Sequence, residues 1–220
     1  MPAVAFDAKT HTYRVGGEVY PSVTQICRYL QYDKASRGNP FIRDAAGAKG
    51  KKVHLYTQYI DQGYQFEDPP EIAGYLKAYR TFLRERSPRW IAIEQRIANT
   101  ELKVAGTLDR FGLMDGGYVI ADIKTTGVLD EDYVSAQLHG YKTILTDEGC
   151  IETLIEDPSQ KIQLFSIQLK PTGEYIPYKA DAKGSSLFTH CWMIDQIRKD
   201  ILGAKKWQNS YFSTTPTHTR

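Results

Sequence analysis

The sequence predicts an α/β domain. Three observations carry that prediction. Apolar residues recur at helical spacing in the first part of the chain and again near its end. Strand-like segments fill Trp90–Thr126. A second strand pair follows at about 161–180, after another helical stretch. The 220 residues and 41% hydrophobic content are enough for one large domain with a real core and appended helices. The reading is a single domain over 1–212. Its helical N-terminal portion covers about 20–88, its core about 89–205, and a loose tail 213–220. There is no internal repeat and no low-complexity segment.

The elements follow in order. "HTYRVGGEVY" alternates around Gly16-Gly17 and predicts a hairpin. Ser22, with Gln25 three residues later, forms a capping-box pattern that opens a short helix. Residues 33–43 are polar, contain Gly38 and Pro40, and read as a loop. A helix is predicted over about 44–62. Pro69-Pro70 break the chain, and Pro70 suits a first helical turn. Ile72, Tyr75, Leu76, Tyr79, Phe82 and Leu83 then mark a helix that ends at Pro88. "WIAIEQRI", "ELKVAGTLDRFGLM" and "YVIADIKTT" predict three strands, with the second turn at Asp115-Gly116-Gly117. Asp130 is placed to cap a helix near 131–146, and an acidic loop runs on through Pro158. Leu187, Phe188, Cys191, Trp192, Ile194, Ile197 and Ile201 predict an amphipathic C-terminal helix.

Charge and cysteines exclude several classes. The net charge of +2 argues against a histone-like wrapper and leaves a nucleic-acid enzyme open. The basic clusters (Lys49, Lys51, Lys52; Arg80, Arg84, Arg86, Arg89; Lys205, Lys206) each read as solvated faces. Cys27, Cys150 and Cys191 are three and scattered, which disfavours a zinc ribbon, an iron–sulfur cluster or a disulfide framework. The N-terminus has no signal-peptide pattern and no stretch is long enough to span a bilayer. An intracellular, cytoplasmic protein is therefore expected.

"IADIKTT" holds an unusual combination. Asp122 and Lys124 are two apart and share one face of a strand. If Gly116-Gly117 form the hairpin loop, Phe111 pairs with Asp122 and Asp109 with Lys124, so Asp109 joins that face. Two carboxylates can hold a hard divalent cation, and an amine beside them can stabilise charge on a phosphate. A bare D-x-K is more often a strand-end ion pair. Its surroundings are Gly50 with His54, Glu94 mid-strand, Gly106-Thr107 before Asp109, Thr125, and Gln137 with Tyr141 one helical turn on.

This ordered set resembles the RecB-like branch of the PD-(D/E)XK nuclease superfamily: G-x-x-x-H, a strand glutamate, G-T-x-D, D-x-K-T and Q-x-x-x-Y over residues 50–141. "YPSVTQI" is similar to stand-alone phage nucleases and mitochondrial genome-maintenance exonucleases of that branch. The resemblance implies a restriction-endonuclease-like core of α-β-β-β-α-β order around a central mixed sheet. It implies Mg²⁺ or Mn²⁺ held by Asp109, Asp122, the Ile123 carbonyl and His54, with Glu94 near the metal. It also implies Lys124 assisting the attacking water, and Gln137, Tyr141 and Thr125 positioning DNA. A phage-infected or bacterial cell is the implied setting. With no GxxxxGK[ST] motif, any unwinding would come from a helicase or recombination partner. Exonuclease action on single-stranded ends comes from the resemblance alone. A structure-specific or restriction-like endonuclease, or an idle DNA-binding module, stays open.

Overall fold

In the computed structural model, which describes residues 2–31, 40–147 and 160–212, two sheets organise the chain. The first is an antiparallel meander of β1 (Val4–Asp7), β2 (Thr12–Val15) and β3 (Glu18–Tyr20). Its second turn is the expected Gly16-Gly17 hairpin, both residues at positive φ. β1 was not expected, because four residues ending in Asp7 carry too little alternation to stand out.

The second sheet is mixed and five-stranded, in the order β4 (Arg89–Asn99), β5 (Val104–Met114), β6 (Gly117–Lys124), β7 (Gln163–Leu169), β8 (Tyr175–Lys179). Only β6 and β7 run parallel, and α4 (Glu131–Asp147) makes the crossover that a parallel pair requires. On one face lie α1 (Val23–Cys27), α4 and α5 (Gly184–Phe212), closing a core with Ile97, Leu108, Phe111, Ile120, Leu138 and Phe188. On the other lie α2 (Pro40–Asp61) and α3 (Ala73–Arg86), around Val53, Leu76, Phe82, Val119, Ile123 and Ile167. β6 shows why one strand serves both layers. Tyr118 and Ile120 enter the first core, Val119, Ala121 and Ile123 the second. Asp122 and Lys124 continue the first set.

Several local expectations hold. Ser22 and Gln25 exchange both hydrogen bonds of the capping box, at 3.0 and 2.8 Å. Asp130 accepts from the Tyr133 N–H at the start of α4. Of the tyrosines of the N-terminal helical portion, for which core packing is the expectation, Tyr75 and Tyr79 are buried, Tyr56 and Tyr59 are half-buried, and Tyr64 is 62% exposed. Arg80 pairs with Asp68, Arg86 with Asp115 and Lys52 with Glu71, as solvated faces do.

Others are corrected. α2 begins at Pro40, inside the stretch read as a loop. Pro69 and Pro70 both precede α3, which starts at Ala73 after a turn closed by the Ile72 N–H on the Pro69 carbonyl. The β5–β6 turn is Asp115-Gly116, not Gly116-Gly117, with φ of 52° and 78°. Asp-Gly is a preferred type I′ pair, and Asp115 gains a contact with Arg86. The register therefore moves by two residues: Phe111 pairs with Ile120 rather than Asp122. α5 buries Phe188 and Cys191 but leaves Ile194, Ile197 and Ile201 about half exposed, at 47%, 56% and 51%. Each step of three falls about 60° short of a full turn, so this run drifts off the face that meets α4. Cys150, the acidic loop from 148 and the tail 213–220 lie outside the described residues. No helix among the described residues is long and apolar enough to cross a membrane.

Close helix packing depends on Gly140 in α4. A Cβ there would lie 2.6 Å from Phe188 Cε2 and 2.8 Å from Val23 Cγ1. Gly140→Ala is expected to destabilise by about 1–3 kcal/mol, despite alanine's better helix propensity. Urea unfolding measures this; an unchanged midpoint would mean that the α1–α4–α5 layer is looser than described.

Candidate active site

The site forms where the sheet forks. The β5–β6 ladder stops at the Arg110–Ala121 pair, and β6 runs on beside β7 to Lys124. Past the fork, the backbone groups of Ile123 on the β5 side need other partners. Its N–H donates to Asp109 Oδ2 at 2.8 Å, and its carbonyl accepts from His54 Nε2 at 3.0 Å. A carboxylate and an imidazole thus replace two ladder bonds. Both are held at the sheet's open end.

β4 contributes the third group through an irregularity. Its pairing with β5 steps from Ile93–Arg110 to Gln95–Leu108, over Glu94 and Asp109. Glu94 has φ of 49°, a left-handed conformation that costs a non-glycine residue about 1 kcal/mol or more. β5 also changes face here, since Leu108 and Phe111, three apart, enter the same core. The result aims the Glu94 carboxylate at the Asp109 side chain. His54 Nδ1 lies 3.6 Å from Glu94 Oε1 and 3.5 Å from Asp109 Oδ2. One donor atom from each of His54, Glu94 and Asp109 falls within 4.8 Å of the others.

α2 presents one continuous face to this point. Gly50, His54, Thr57 and Asp61 are spaced four, three and four apart. A Cβ on Gly50 would sit 3.4 Å from Thr125 Oγ1, in van der Waals contact, so the matched Gly50 and Thr125 adjoin. Thr57 and Asp61 instead hold Arg110, a residue the sequence reading passed over. Arg110 is fully buried. It donates to Asp61 Oδ2 at 2.6 Å, the Asp109 carbonyl at 2.7 Å, Thr57 Oγ1 at 3.1 Å and Glu94 Oε1 at 3.2 Å. Tyr79 OH also donates to Asp61 at 2.7 Å. The signal was an arginine inside the otherwise apolar "LDRFGLM", where a buried charge needs several partners.

A second group stands beside the first. Lys124 Nζ donates to Asp122 Oδ1 at 2.9 Å and to Gln137 Oε1 at 2.8 Å. Asp122 Oδ2 is 2.8 Å from the same ammonium but has no partner in hydrogen-bond geometry, although it is buried. Gln137 in turn donates to Tyr141 OH at 3.2 Å, as their helical spacing implies. Of the sequence-predicted residues, His54, Glu94, Asp109 and the Ile123 backbone converge. Asp122, Lys124, Gln137 and Tyr141 form the adjoining chain, so Asp122 faces Lys124 rather than standing in the three-residue cluster.

Electrostatics fit an acidic pocket holding cations. Burial opposes a charged His54 ring, yet Asp109, Glu94 and Asp122 outweigh it and raise its pKa to about 9. Burial, with Asp109 nearby, raises Asp122 to about 6 against the pull of Lys124. Burial and Glu94 raise Asp109 too, while His54, Lys124 and the Ile123 N–H hold it down. Lys124 is also raised, because Asp122 and Asp109 overcome its burial. Each raised group binds more protons folded than unfolded, so stability falls as pH rises past it. Asp122 makes the metal-free protein lose stability as pH rises from about 4 to about 6. The His54 contribution is full below about 6.5 and is lost as pH rises through about 9. Thermal melts in EDTA should therefore fall across pH 6.5–9, and His54→Gln should flatten that part. A melt that rises there would contradict the charge assignment.

The donor set fits a divalent cation. Two carboxylates and one imidazole converge, and His54 Nε2–H on the Ile123 carbonyl leaves Nδ1, which faces Glu94 and Asp109, as the nitrogen that would coordinate a cation. A nitrogen ligand suits Mn²⁺ better than Mg²⁺, which prefers oxygen alone. The chain matches no protein-family model and no curated protein.

Proposed function

We propose that this chain is a divalent-metal-dependent nuclease that hydrolyses DNA phosphodiester bonds, with Mn²⁺ or Mg²⁺ as cofactor. The observation that carries the reading is the convergence of His54, Glu94 and Asp109 donor atoms within 4.8 Å, beside the buried Lys124–Asp122 pair. The mixed sheet, with α4 crossing from β6 to β7 and α2 laid over the fork, is consistent with a PD-(D/E)XK fold of the RecB-like branch.

A bound cation would offset phosphate charge and lower the pKa of a water. The chain's own residues do the rest. Asp109 and Glu94 supply negative ligand oxygens, and Arg110 fixes the Glu94 carboxylate from behind. Lys124 is kept cationic by Asp122 and Asp109, so it can donate to a water or to the charge that builds on a phosphate oxygen. Gln137 fixes the ammonium's position and is itself aligned by Tyr141.

By resemblance, action at single-stranded ends is favoured, in repair, recombination or replication. Digestion of end-labelled linear strands and closed single-stranded circles with Mn²⁺ tests it. Linear strands should shorten from one end while circles stay intact. Cut circles would make the chain an endonuclease, and two intact substrates would remove the nuclease reading.

A further inference from the structure

A mostly apolar cleft of about 450 Å³ adjoins the site, with Lys124 among its lining residues. Thr126, Val128, Leu129, Tyr133 and Val134 form its walls, and Gln31 and Asp130 add polar atoms at one side. Val128, one of the lining residues, is 87% exposed. It does not sit on a loose loop. Buried Gln168 donates to the Thr126 carbonyl at 2.8 Å and the Gly127 carbonyl at 3.3 Å, and Lys170 donates to Gly127 at 2.8 Å. The neighbouring strand therefore holds the Val128 segment in place. Opposite it, Tyr133 is anchored in the first turn of α4, where its N–H meets Asp130.

We propose that this cleft receives one unpaired nucleobase, next to the phosphate that Lys124 faces, and so selects single-stranded DNA. The inference rests on the nuclease reading only for the position of that phosphate. Three features favour a base over another apolar ligand. A cation stands at one end, where the nucleotide's phosphate would lie. An aromatic ring and aliphatic walls can cover a flat base. Gln31 and Asp130, hydrogen-bonded to each other at 3.4 Å, make that edge of the cleft polar. A base inside a duplex has both faces covered by its neighbours, so only an unpaired one can reach Tyr133 and Val128.

The test is binding in EDTA, where no hydrolysis occurs. A labelled thymidine strand is compared with a strand of equal length carrying abasic sugars throughout, on wild-type protein and on Val128→Ser. The normal strand should bind about tenfold or more tighter, the scale of base–aromatic stacking. Val128→Ser should weaken the normal strand several-fold and leave the abasic strand unchanged. Equal binding of the two strands, or an equal loss on both with Val128→Ser, would overturn the proposal. Mn²⁺-dependent cleavage of the normal strand is scored separately. Base-dependent binding without cleavage would remove the nuclease reading and keep the base site. Cleavage without base-dependent binding would do the reverse.

Discussion

Asp109→Asn is expected to lower Mn²⁺-dependent cleavage of linear DNA on the order of a thousandfold or more. The residue serves two purposes, and the substitution separates them. Its Oδ2 accepts the Ile123 N–H at the fork, and an asparagine oxygen can still do so. The same carboxylate sits 3.5 Å from His54 Nδ1 and supplies one of two negative donors to the cluster. A neutral amide cannot replace that charge. The protein should stay folded, with an unchanged circular dichroism spectrum, while activity disappears. Lys124→Ala should cost about 10²–10³-fold by losing one charge-stabilising donor. Cleavage within a few-fold of wild type in a clean Asp109→Asn preparation would place the chemistry elsewhere.

Arg110→Met is expected to destabilise the protein by about 3–5 kcal/mol, because it leaves the buried Asp61 and the Glu94 carboxylate without their shared cation. For a chain of this size the melting temperature should fall on the order of 10 °C. Four donor–acceptor contacts spread over all three guanidinium nitrogens, so Arg110→Lys should recover only part of the loss. The readout that separates this from simple loss of packing is Mn²⁺ affinity in the folded Lys variant. It should weaken, since Glu94 loses the donor that aims it. A melting temperature within 2–3 °C of wild type for Arg110→Met, roughly the effect of 1 kcal/mol, would mean the network is dispensable.

Much of this site was legible in the sequence because its logic is one of parity and helical spacing. The hairpin was placed one residue too late, yet the register error was an even number. Asp122 and Lys124 keep their common face, but the β5–β6 ladder ends at Arg110–Ala121 and β5 changes face there, so Asp109 turns toward His54 and Glu94. His54 was legible from Gly50 one turn earlier, and Gln137 with Tyr141 from their spacing. What periodicity could not show was the fork. Glu94 lies opposite Asp109 in the β4–β5 register, with a left-handed φ at Glu94, and nothing in "WIAIEQRI" encodes that by pattern. Arg110 was missed because an arginine in a strand ordinarily faces solvent, and its partners Asp61 and Thr57 lie about 50 residues away on α2. The C-terminal helix was misread for a different reason. Ile194, Ile197 and Ile201 continue the apolar run of Phe188 and Cys191, but the steps of three drift off the face that meets α4.

His54, Glu94 and Asp109 are the residues proposed to hold a divalent cation. Calorimetric titration of the metal-free protein with Mn²⁺ tests that proposal most directly. One site should appear, with proton release on binding as His54 gives up its Nδ1 proton, and with affinity that tightens as pH rises toward about 9. Asp109→Asn and Glu94→Gln should each lose most of that signal. No binding in the wild type, or binding that survives both substitutions, would contradict it.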